Sequence, residues 1–304
     1  MECTYFGVWI WDTKERVDMQ NSKCMFFISR MICYIFIVLM ILSCSKQAKH
    51  DEDRYIVLSP EIAEILAYLD TSNRIVGVTA ECDFPAELQN IASVGNFGQY
   101  HLEKIISLKP TIVFTTALEQ NEIAIQLVKM GIQTQQFYPK NIHDLLAMID
   151  SLGVITGQTV LSDSLSFYLR NQFDTFLLQA QNRENKLKVF IEIYGNPIMS
   201  ADNSSFLGSL LEYSGLENIF PILPRDYSRV NTEDVIRLNP DVIILTYPGT
   251  SVSDVKNRKG WGNINAVQNN MIFDIDDIDP DLILRATPRN VEGLKNLLRT
   301  IYGE

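Results

Sequence analysis

Leu102-Glu-Lys-Ile-Ile-Ser-Leu-Lys-Pro-Thr-Ile-Val-Phe-Thr-Thr116 has a counterpart 130 positions later, Thr232-Glu-Asp-Val-Ile-Arg-Leu-Asn-Pro-Asp-Val-Ile-Ile-Leu-Thr246. Each copy has a glutamate near the start of a short amphipathic segment, then Leu-x-Pro, and then a run of β-branched and apolar residues. This order predicts a short helix, a tight break and a buried parallel strand. We therefore expect an α/β protein with two similar lobes.

An aromatic residue accompanies the glutamate of each copy at the same distance. Phe97 lies six residues before Glu103, and Tyr227 lies six residues before Glu233. Any two helix–strand units look alike at the level of helix, proline and strand, so that part alone leaves a true repeat open. The paired aromatic residue and acid favour two equivalent halves.

The N-terminal region, residues 1–44, contains an export signal. Met31 to Leu42 is an uninterrupted apolar run that follows Arg30 and is closed by Ser43-Cys44. The run is shorter than the roughly 20 residues of a membrane-spanning helix, and its flanks are typical of a secretory signal. Its end resembles the lipobox of bacterial lipoproteins, which implies cleavage before Cys44 and a lipid on that thiol. An uncut membrane anchor would give the same topology.

The segments on either side of the signal add little to the fold. Residues 1–24 are rich in charges and are either a gene-start artefact or an extended signal, and residues 45–53 are polar and predict a flexible tether. Cys82 is the only cysteine after Cys44. The folded part therefore has no internal disulfide, and burial of a core must stabilise it.

Charge and motifs exclude several classes of function. The net charge is −11, and residues 1–44 carry four acids and four bases, so the acidity lies in the mature part and nucleic acid is not an expected partner. Nucleophile elbows, phosphate-binding loops, dinucleotide fingerprints and metal-ligand spacings are missing from the sequence. The acidic run from Asp274 to Asp281 lacks the glycine and glutamate of a calcium-binding loop. We expect no catalysis, no metal and no cofactor.

The domain organisation follows from a change of pattern near the middle of the chain. Strands and helices alternate over residues 54–157, which predicts an N-terminal α/β lobe with a parallel sheet, and again over residues 187–304. Residues 158–186 form one amphipathic segment without glycine or proline, which predicts a helix of roughly 40 Å. We interpret it as a helix that joins the lobes; an ordinary core helix of one lobe is the alternative.

From residue 54 to the C-terminus, the chain resembles the cobalamin and iron-siderophore class of substrate-binding proteins for ABC importers. The motifs that carry the resemblance are Leu58-Ser-Pro60 with Glu64, Val76-Gly-Val78, Cys82-Asp-Phe-Pro85, Val94-Gly95, Leu102-Glu103, Leu108-Lys-Pro110, Asn239-Pro-Asp241, Gly260-Trp261 and Arg285-Ala-Thr-Pro-Arg289. The resemblance implies two α/β lobes bridged by a long helix, with the ligand held between them. The cobalamin-binding branch is the closer likeness.

The resemblance also implies which residues contact the ligand. Phe97 and Tyr227 correspond to cleft aromatics, as does the stretch containing Tyr194, while Asp281 and Arg285 correspond to groups that face a ligand edge. Glu81 and Thr116 stand where the family often has bulkier residues. A broad tetrapyrrole-like ring favours aromatic walls, with a few polar groups that fix its orientation.

Two glutamates are expected to recognise the transporter. Glu103 and Glu233 lie near the start of their predicted helices, where the helix macrodipole favours an acid. In the family, one glutamate per lobe docks into arginine-lined pockets of the two permease subunits, and we expect both roles here.

The resulting hypothesis is a monomeric, lipid-anchored receptor at the cell envelope that delivers cobalamin or a related corrinoid to an ABC permease. Haem or a ferric siderophore is the alternative ligand within the class. A tetrapyrrole chelatase-like enzyme, which shares a two-lobed outline, is a remote alternative, since it would require histidine and acid ligands in the cleft and no export signal.

Overall fold

The computed structural model describes residues 53–116 and 121–303. The signal region, Cys44 and nearly all of the tether lie outside these residues. The strands are β1 Tyr55–Val57, β2 Ile75–Val78, β3 Gly95–Asn96, β4 Gln99–Tyr100, β5 Ile112–Thr116, β6 Gln133–Phe137, β7 Lys188–Glu192, β8 Tyr194–Gly195, β9 Ile198–Ala201, β10 Glu217–Asn218, β11 Tyr227–Arg229, β12 Val242–Leu245 and β13 Ile272–Phe273.

Eleven α-helices occur in the same two ranges. They are α1 Pro60–Tyr68, α2 Leu102–Ser107, α3 Asn121–Lys129, α4 Ile142–Thr156, α5 Thr159–Gln181, α6 Phe206–Ser214, α7 Thr232–Leu238, α8 Val252–Lys256, α9 Asn265–Gln268, α10 Asp281–Leu284 and α11 Asn290–Tyr302. None of these helices is both long and apolar enough to cross a membrane.

Two parallel four-stranded sheets of identical topology form the centres of the two lobes. The order is β2-β1-β5-β6 in the first sheet and β10-β7-β12-β13 in the second. In each lobe the first strand along the chain lies between the second and the third, and every pairing within these sheets is parallel. The predicted fold class, two similar α/β lobes with parallel sheets, is confirmed.

The sequence repeat corresponds to a structural repeat. Its first copy forms α2 and β5 and its second forms α7 and β12, and β5 and β12 occupy equivalent positions beside the first strands of their sheets. Between helix and strand, Lys109 and Asn239 adopt nearly the same left-handed backbone conformation, with φ of 48° and 47°. The residue before each proline therefore has the same positive φ in both copies.

Helix α5 is the long connection between the lobes. It has 23 residues, which gives a length of roughly 35 Å at 1.5 Å per residue. It packs against α4 of the first lobe and α6 of the second, and its buried Leu169, Phe173 and Phe176 belong to a hydrophobic core that contains residues of both lobes. The boundaries expected at residues 157 and 187 stay predictions, but the helix lies within the segment between them.

Two elements differ from the expectation in ways that matter for the site. In the first lobe, β3 and β4 pair as an antiparallel hairpin, whereas alternation of helices with parallel strands predicts no hairpin there. The second lobe also has an antiparallel sheet, in the order β11-β9-β8, that the sequence patterns did not predict. Both additions are short, so they leave too few residues for an alternating pattern to be visible.

Candidate functional site

A cleft of about 300 Å³ lies between the two lobes. Both lobes contribute to its walls, and most of the lining side chains are apolar or aromatic. The lining residues are Ser59, Glu61, Ile62, Phe97, Thr116, Phe137, Tyr138, Pro139, Met148, Phe206, Tyr227, Leu284 and Ala286. Clefts of this size and composition are typical of small-molecule sites, at the lower end of their range of volume.

The wall of the first lobe is built at the carboxyl edge of its sheet. Thr116 and Phe137 are the last residues of β5 and β6, and Ser59 lies between β1 and α1. Loops that follow parallel strands converge at this edge, which is where open α/β sheets bind their ligands. The topology therefore explains why residues far apart in sequence share one wall.

Phe97 reaches the cleft from the tip of the β3–β4 hairpin. The turn places Gly98 at a φ of 80°, which glycine adopts at no steric cost. The backbone N–H of Phe97 donates a hydrogen bond to Oε1 of Glu81 at 2.9 Å. Phe97 is 57% exposed, so its ring is held at the cleft by its backbone and not by burial in the core.

Tyr227 contributes an aromatic residue to the cleft from the second lobe. It is the first residue of β11 and pairs with Ala201 of β9, while Phe206 beside it in the cleft is the first residue of α6. Burial raises the pKa of Tyr227 to about 12, and the carboxylates of Asp226 and Glu61 act in the same direction. The phenol is therefore neutral at physiological pH.

Glu61 is the only charged side chain among the described residues that line the cleft. It occupies the first turn of α1, directly after Pro60, where the positive end of the helix dipole favours a carboxylate. Its Oε2 accepts a hydrogen bond from Oγ of Ser59 at 2.5 Å. Its Oε1 accepts none from the residues that the structure describes, and it remains available to a ligand.

Asp226 connects the two lobes beside the cleft. Its carboxylate accepts hydrogen bonds from the Tyr138 hydroxyl at 2.9 Å and from Nζ of Lys140 at 3.1 Å, both from the first lobe. Burial opposes ionisation of Asp226, but the hydrogen bonds from Lys140 and Tyr138 outweigh it and lower the pKa. The cation at Lys140 is thus balanced by the chain's own acid.

Arg285 makes a second connection of this kind. Its guanidinium contacts Asp83 of the first lobe at 2.7 Å and Asp281, one turn earlier, at 2.9 Å. Burial tends to raise the pKa of Asp83, yet the bond from Arg285 prevails and lowers it, whereas burial raises the pKa of Asp281. Arg285 lies between Leu284 and Ala286, which line the cleft, but its own side chain is engaged with these acids.

The structure brings together some of the residues expected to bind ligand. Phe97, Thr116 and Tyr227 line the same cleft. Glu81 lies behind Phe97 and holds its backbone. Tyr194, 52% exposed, lies beside the ring of Tyr247 at the carboxyl edge of the second sheet, and it is not among the lining residues of this cleft. Asp281 and Arg285 are likewise outside that lining.

Several lining residues were not singled out from the sequence, among them Glu61, Tyr138 and Phe206. The proline at the start of α1 predicts its first turn, so an acid at that turn was visible as a local feature. Its position in the cleft depends on how α1 packs, for which the local pattern gives no signal.

Glu103 and Glu233 occupy equivalent surface positions. Each is the second residue of its helix, α2 or α7, and each is exposed. Their carboxylates form no hydrogen bond or ion pair with the described part of the chain. Two unpaired acids at repeat-related positions are available for a partner that presents cations to both lobes.

A wider groove of about 810 Å³ lies elsewhere on the surface. It has no aromatic residue among its described lining, and it contains both Lys140 and Lys186 and the acids Asp144, Glu212 and Glu217. Its charges are mixed and its walls are polar, so this groove is better suited to solvent than to a broad apolar ring. The narrower cleft is therefore the stronger candidate site.

Comparison with known proteins gives consistent results. The family model described as "Periplasmic binding protein" matches residues 56–278. An uncharacterized ABC transporter substrate-binding lipoprotein of Bacillus subtilis, YvrC, is 28% identical over 261 residues, which are 84% of this chain and 81% of that protein. The vitamin B12-binding protein of Salmonella paratyphi A is 25% identical over 249 residues, 82% of this chain and 90% of the relative.

A solved structure supports the same fold. The periplasmic heme-binding protein RhuT from Roseiflexus, in its apo form, superposes with a TM-score of 0.74 at 20% identity and covers 83% of this chain and 98% of its own. At this identity the likeness concerns the fold alone.

Proposed function

We propose that this protein, which belongs to the periplasmic binding protein family, captures cobalamin or a related corrinoid. It is an extracytoplasmic substrate-binding protein of an ABC importer and not an enzyme. The class to which it belongs includes cobalamin, haem and siderophore receptors. The observation that favours a corrinoid is the charge of the cleft: its described lining holds one carboxylate and no cation.

A corrinoid suits this lining because amide groups surround its ring. Amide N–H groups need acceptors, which Glu61 and the hydroxyls of Ser59, Thr116 and Tyr138 supply. The ring itself suits apolar and aromatic walls, and each aromatic contact contributes about 0.5 to 1.5 kcal/mol beyond the area it buries. Phe97 and Tyr227 are the proposed facing walls.

Haem and ferric siderophores suit it less well. Haem carries two propionates, and many ferric siderophores are anionic, so both would need cations within the cleft. Lys140 and Arg285, which flank the lining residues in sequence, are already held by Asp226, Asp83 and Asp281. A tyrosine can ligate ferric haem as a phenolate, but the raised pKa of Tyr227 opposes that form.

The cleft volume of about 300 Å³ is smaller than a corrinoid. The proposal therefore requires that part of the ligand lies outside this volume, where the exposed ring of Phe97 can cover it. We propose that Tyr194 and Asp281 contact that outer part of the ligand and that Arg285 faces its edge. Glu81 acts indirectly, because it holds the backbone of Phe97.

The direct test is to expose the purified protein to equal amounts of cyanocobalamin, haem and a ferric siderophore, remove unbound ligand and record the ultraviolet-visible spectrum. We expect the absorption bands of the corrinoid. A Soret band of bound haem, or the charge-transfer band of a siderophore, would contradict the proposal and identify the alternative ligand.

The remaining parts of the proposal concern the cell envelope. We infer that Cys44 carries a lipid, that residues 45–53 tether a monomeric receptor to the membrane, and that Glu103 and Glu233 dock with the permease. Cys44→Ser should abolish incorporation of labelled fatty acid and leave an unlipidated precursor. Undiminished label in this variant would disprove the assignment of the anchor.

A further inference from the structure

The charges around the cleft point to a finer selection among ligands. Two helices begin at the cleft, α1 with Ser59, Glu61 and Ile62 and α6 with Phe206. The N-terminus of a helix is favourable for an anion, because its N–H groups are free and the dipole is positive there. A ligand carboxylate could in principle bind at either helix.

The chain places one of its own acids beside the start of each helix. Glu61 occupies the first turn of α1. At α6, Oδ1 of Asp202 accepts the backbone N–H groups of Ser204 and Ser205 at 2.9 and 3.1 Å, and Oγ of Ser205 accepts the N–H of Gly208 at 3.0 Å. At both helix ends a carboxylate of the chain therefore offsets the positive potential that would attract a ligand anion.

The two acids, Asp202 and Glu61, differ in whether a carboxylate oxygen remains available to a ligand. Asp202 is buried and its Oδ1 also accepts the hydroxyl of Ser204, so it serves the protein. Glu61 has one oxygen bound to Ser59 and the other without a partner among the described residues, and it faces the cleft. Asp226 adds a further carboxylate beside this wall.

We propose, on the premise that the ligand is a corrinoid, that Glu61 determines specificity by charge. Its free oxygen accepts a hydrogen bond from a ring amide of the ligand, and its negative charge rejects ligands that carry carboxylates at that edge. The receptor would thus admit fully amidated corrinoids and exclude haem and corrinoids whose side chains are still acids.

Two corrinoids that share ring and cobalt but differ in side chains test this selection. Dicyanocobinamide carries amides, and cobyrinic acid carries carboxylates at the corresponding positions. Their affinities are measured by calorimetry for the wild type, for Glu61→Gln and for Glu292→Gln. Glu292 is the control because it is likewise an acid in the first turn of a helix, α11, but it is exposed and lies outside the described lining of the cleft.

We expect the wild type to prefer cobinamide by about a hundredfold. Glu61→Gln should lower that preference by about tenfold or more, since it removes a charge-assisted hydrogen bond to the amide and a repulsion of the acid. Glu292→Gln should match the wild type. The melting curve of each unliganded variant checks that the fold is intact. The preference of the wild type for cobinamide over cobyrinic acid is itself a test, and it does not depend on the folding of any variant.

The outcomes separate this inference from the function on which it rests. Binding of neither corrinoid by the wild type would overturn the proposed function. Equal binding of both by the wild type, or an unchanged preference in Glu61→Gln, would leave the function standing and overturn the role of Glu61.

Discussion

The two lobes contain the same kind of buried ion pair, used in different ways. In the first, Glu64 of α1 is fully buried and accepts two hydrogen bonds, at 2.9 and 2.8 Å, from Arg289, which precedes the C-terminal helix. In the second, Glu192 is fully buried at the end of β7 and accepts two, at 2.5 and 2.6 Å, from Arg258. Each guanidinium also covers an aromatic ring, Phe84 or Trp261.

The difference lies in what each pair connects. Arg258 and Glu192 belong to the second lobe alone, whereas Arg289 extends from the C-terminal segment to a helix of the first lobe. Glu192 also accepts the hydroxyl of Tyr247, and Glu64 has no such third partner among its described contacts. The same kind of ion pair thus stabilises the second lobe internally in one case and connects the C-terminal segment to the first lobe in the other.

Equivalence of the lobes should be most evident in transport. Glu103→Ala with Glu233→Ala should lower whole-cell uptake by more than about a hundredfold with ligand affinity intact, because two docking contacts reinforce each other through effective concentration. Each single change should cause a partial loss. Asp163→Ala, an exposed acid of α5, is the control.

Uptake by whole cells and affinity by calorimetry decide this prediction together. Persistent uptake in the double variant would show that the two glutamates do not dock. Affinity that falls in step with uptake would show instead that they act on the ligand site.

The two arginines should differ in their effect on stability. Arg289→Met leaves Glu64 buried without a partner, and we expect a loss of about 3 to 5 kcal/mol in the free energy of unfolding. Arg258→Met should cost less, about 2 kcal/mol, because the Tyr247 hydroxyl still hydrogen-bonds Glu192 and the exposure of Arg258 is greater, 20% against 11%.

Denaturant unfolding of the two variants measures the difference. The double variant Glu64→Leu with Arg289→Met should recover much of the loss, since removal of both charges leaves no unpaired ion buried at this position. Equal losses for the two single variants would show that the Tyr247 hydroxyl and the greater exposure of Arg258 do not compensate Glu192 for its lost partner.

The two facing aromatics should separate binding from stability. Phe97→Ala and Tyr227→Ala should each weaken corrinoid binding by about tenfold or more, because each removes an aromatic wall. Phe97 is 57% exposed, so its loss should change the free energy of unfolding by less than about 0.5 kcal/mol. Tyr227 packs against the core, and its loss should cost about 2 kcal/mol.

Calorimetric titration and denaturant unfolding of both variants provide the two measurements. Tyr227→Phe is the matched control, because it retains the ring and removes only the hydroxyl. If Phe97→Ala leaves the affinity unchanged, the hairpin that presents Phe97 does not form a wall of the site.

The sequence predicts those parts of the fold that depend on local patterns. The repeat was visible because β5 and β12 are central strands with buried β-branched residues. Strand β6, Gln133–Phe137, was not predicted, because it lies at the edge of the sheet and is half-exposed, so it has no apolar run. Helix α4 was also not predicted, although Asn141 caps it with a bond of 2.8 Å to the N–H of Asp144.

The candidate site could be predicted only in part. Phe97 and Tyr227 lie at the same offset from the two glutamates, and the resemblance to substrate-binding proteins implied that they and Thr116 line the cleft. Glu61 and the bond between Tyr138 and Asp226 depend on how helices and lobes pack, since the latter joins residues 88 positions apart. Such contacts have no local pattern, and their partners become evident only when the topology is known.

The smallest expected effect concerns the break in each repeat. Lys109 and Asn239 both have positive φ and both precede a proline, a conformation that costs a residue with an ordinary side chain about 1 kcal/mol or more and that asparagine adopts more easily. Oδ1 of Asn239 also accepts the N–H of Asn265 at 2.8 Å. The second lobe therefore has the residue that tolerates the positive φ at this position at the lower energetic cost.

Exchange of these two residues tests that conclusion. Lys109→Asn should stabilise the protein by about 0.5 kcal/mol, because the side chain is exposed and only backbone strain is relieved. Asn239→Lys should destabilise it by about 1 to 2 kcal/mol, since it adds the strain and removes the bond to Asn265. Thermal unfolding should show an upward shift for the first variant and a larger downward shift for the second, with Asn239→Gly as the control that removes the bond without the strain. A lower melting temperature for Lys109→Asn would mean that the lysine contributes a contact that outweighs its backbone conformation, and the breaks would then be equivalent in geometry but not in energy.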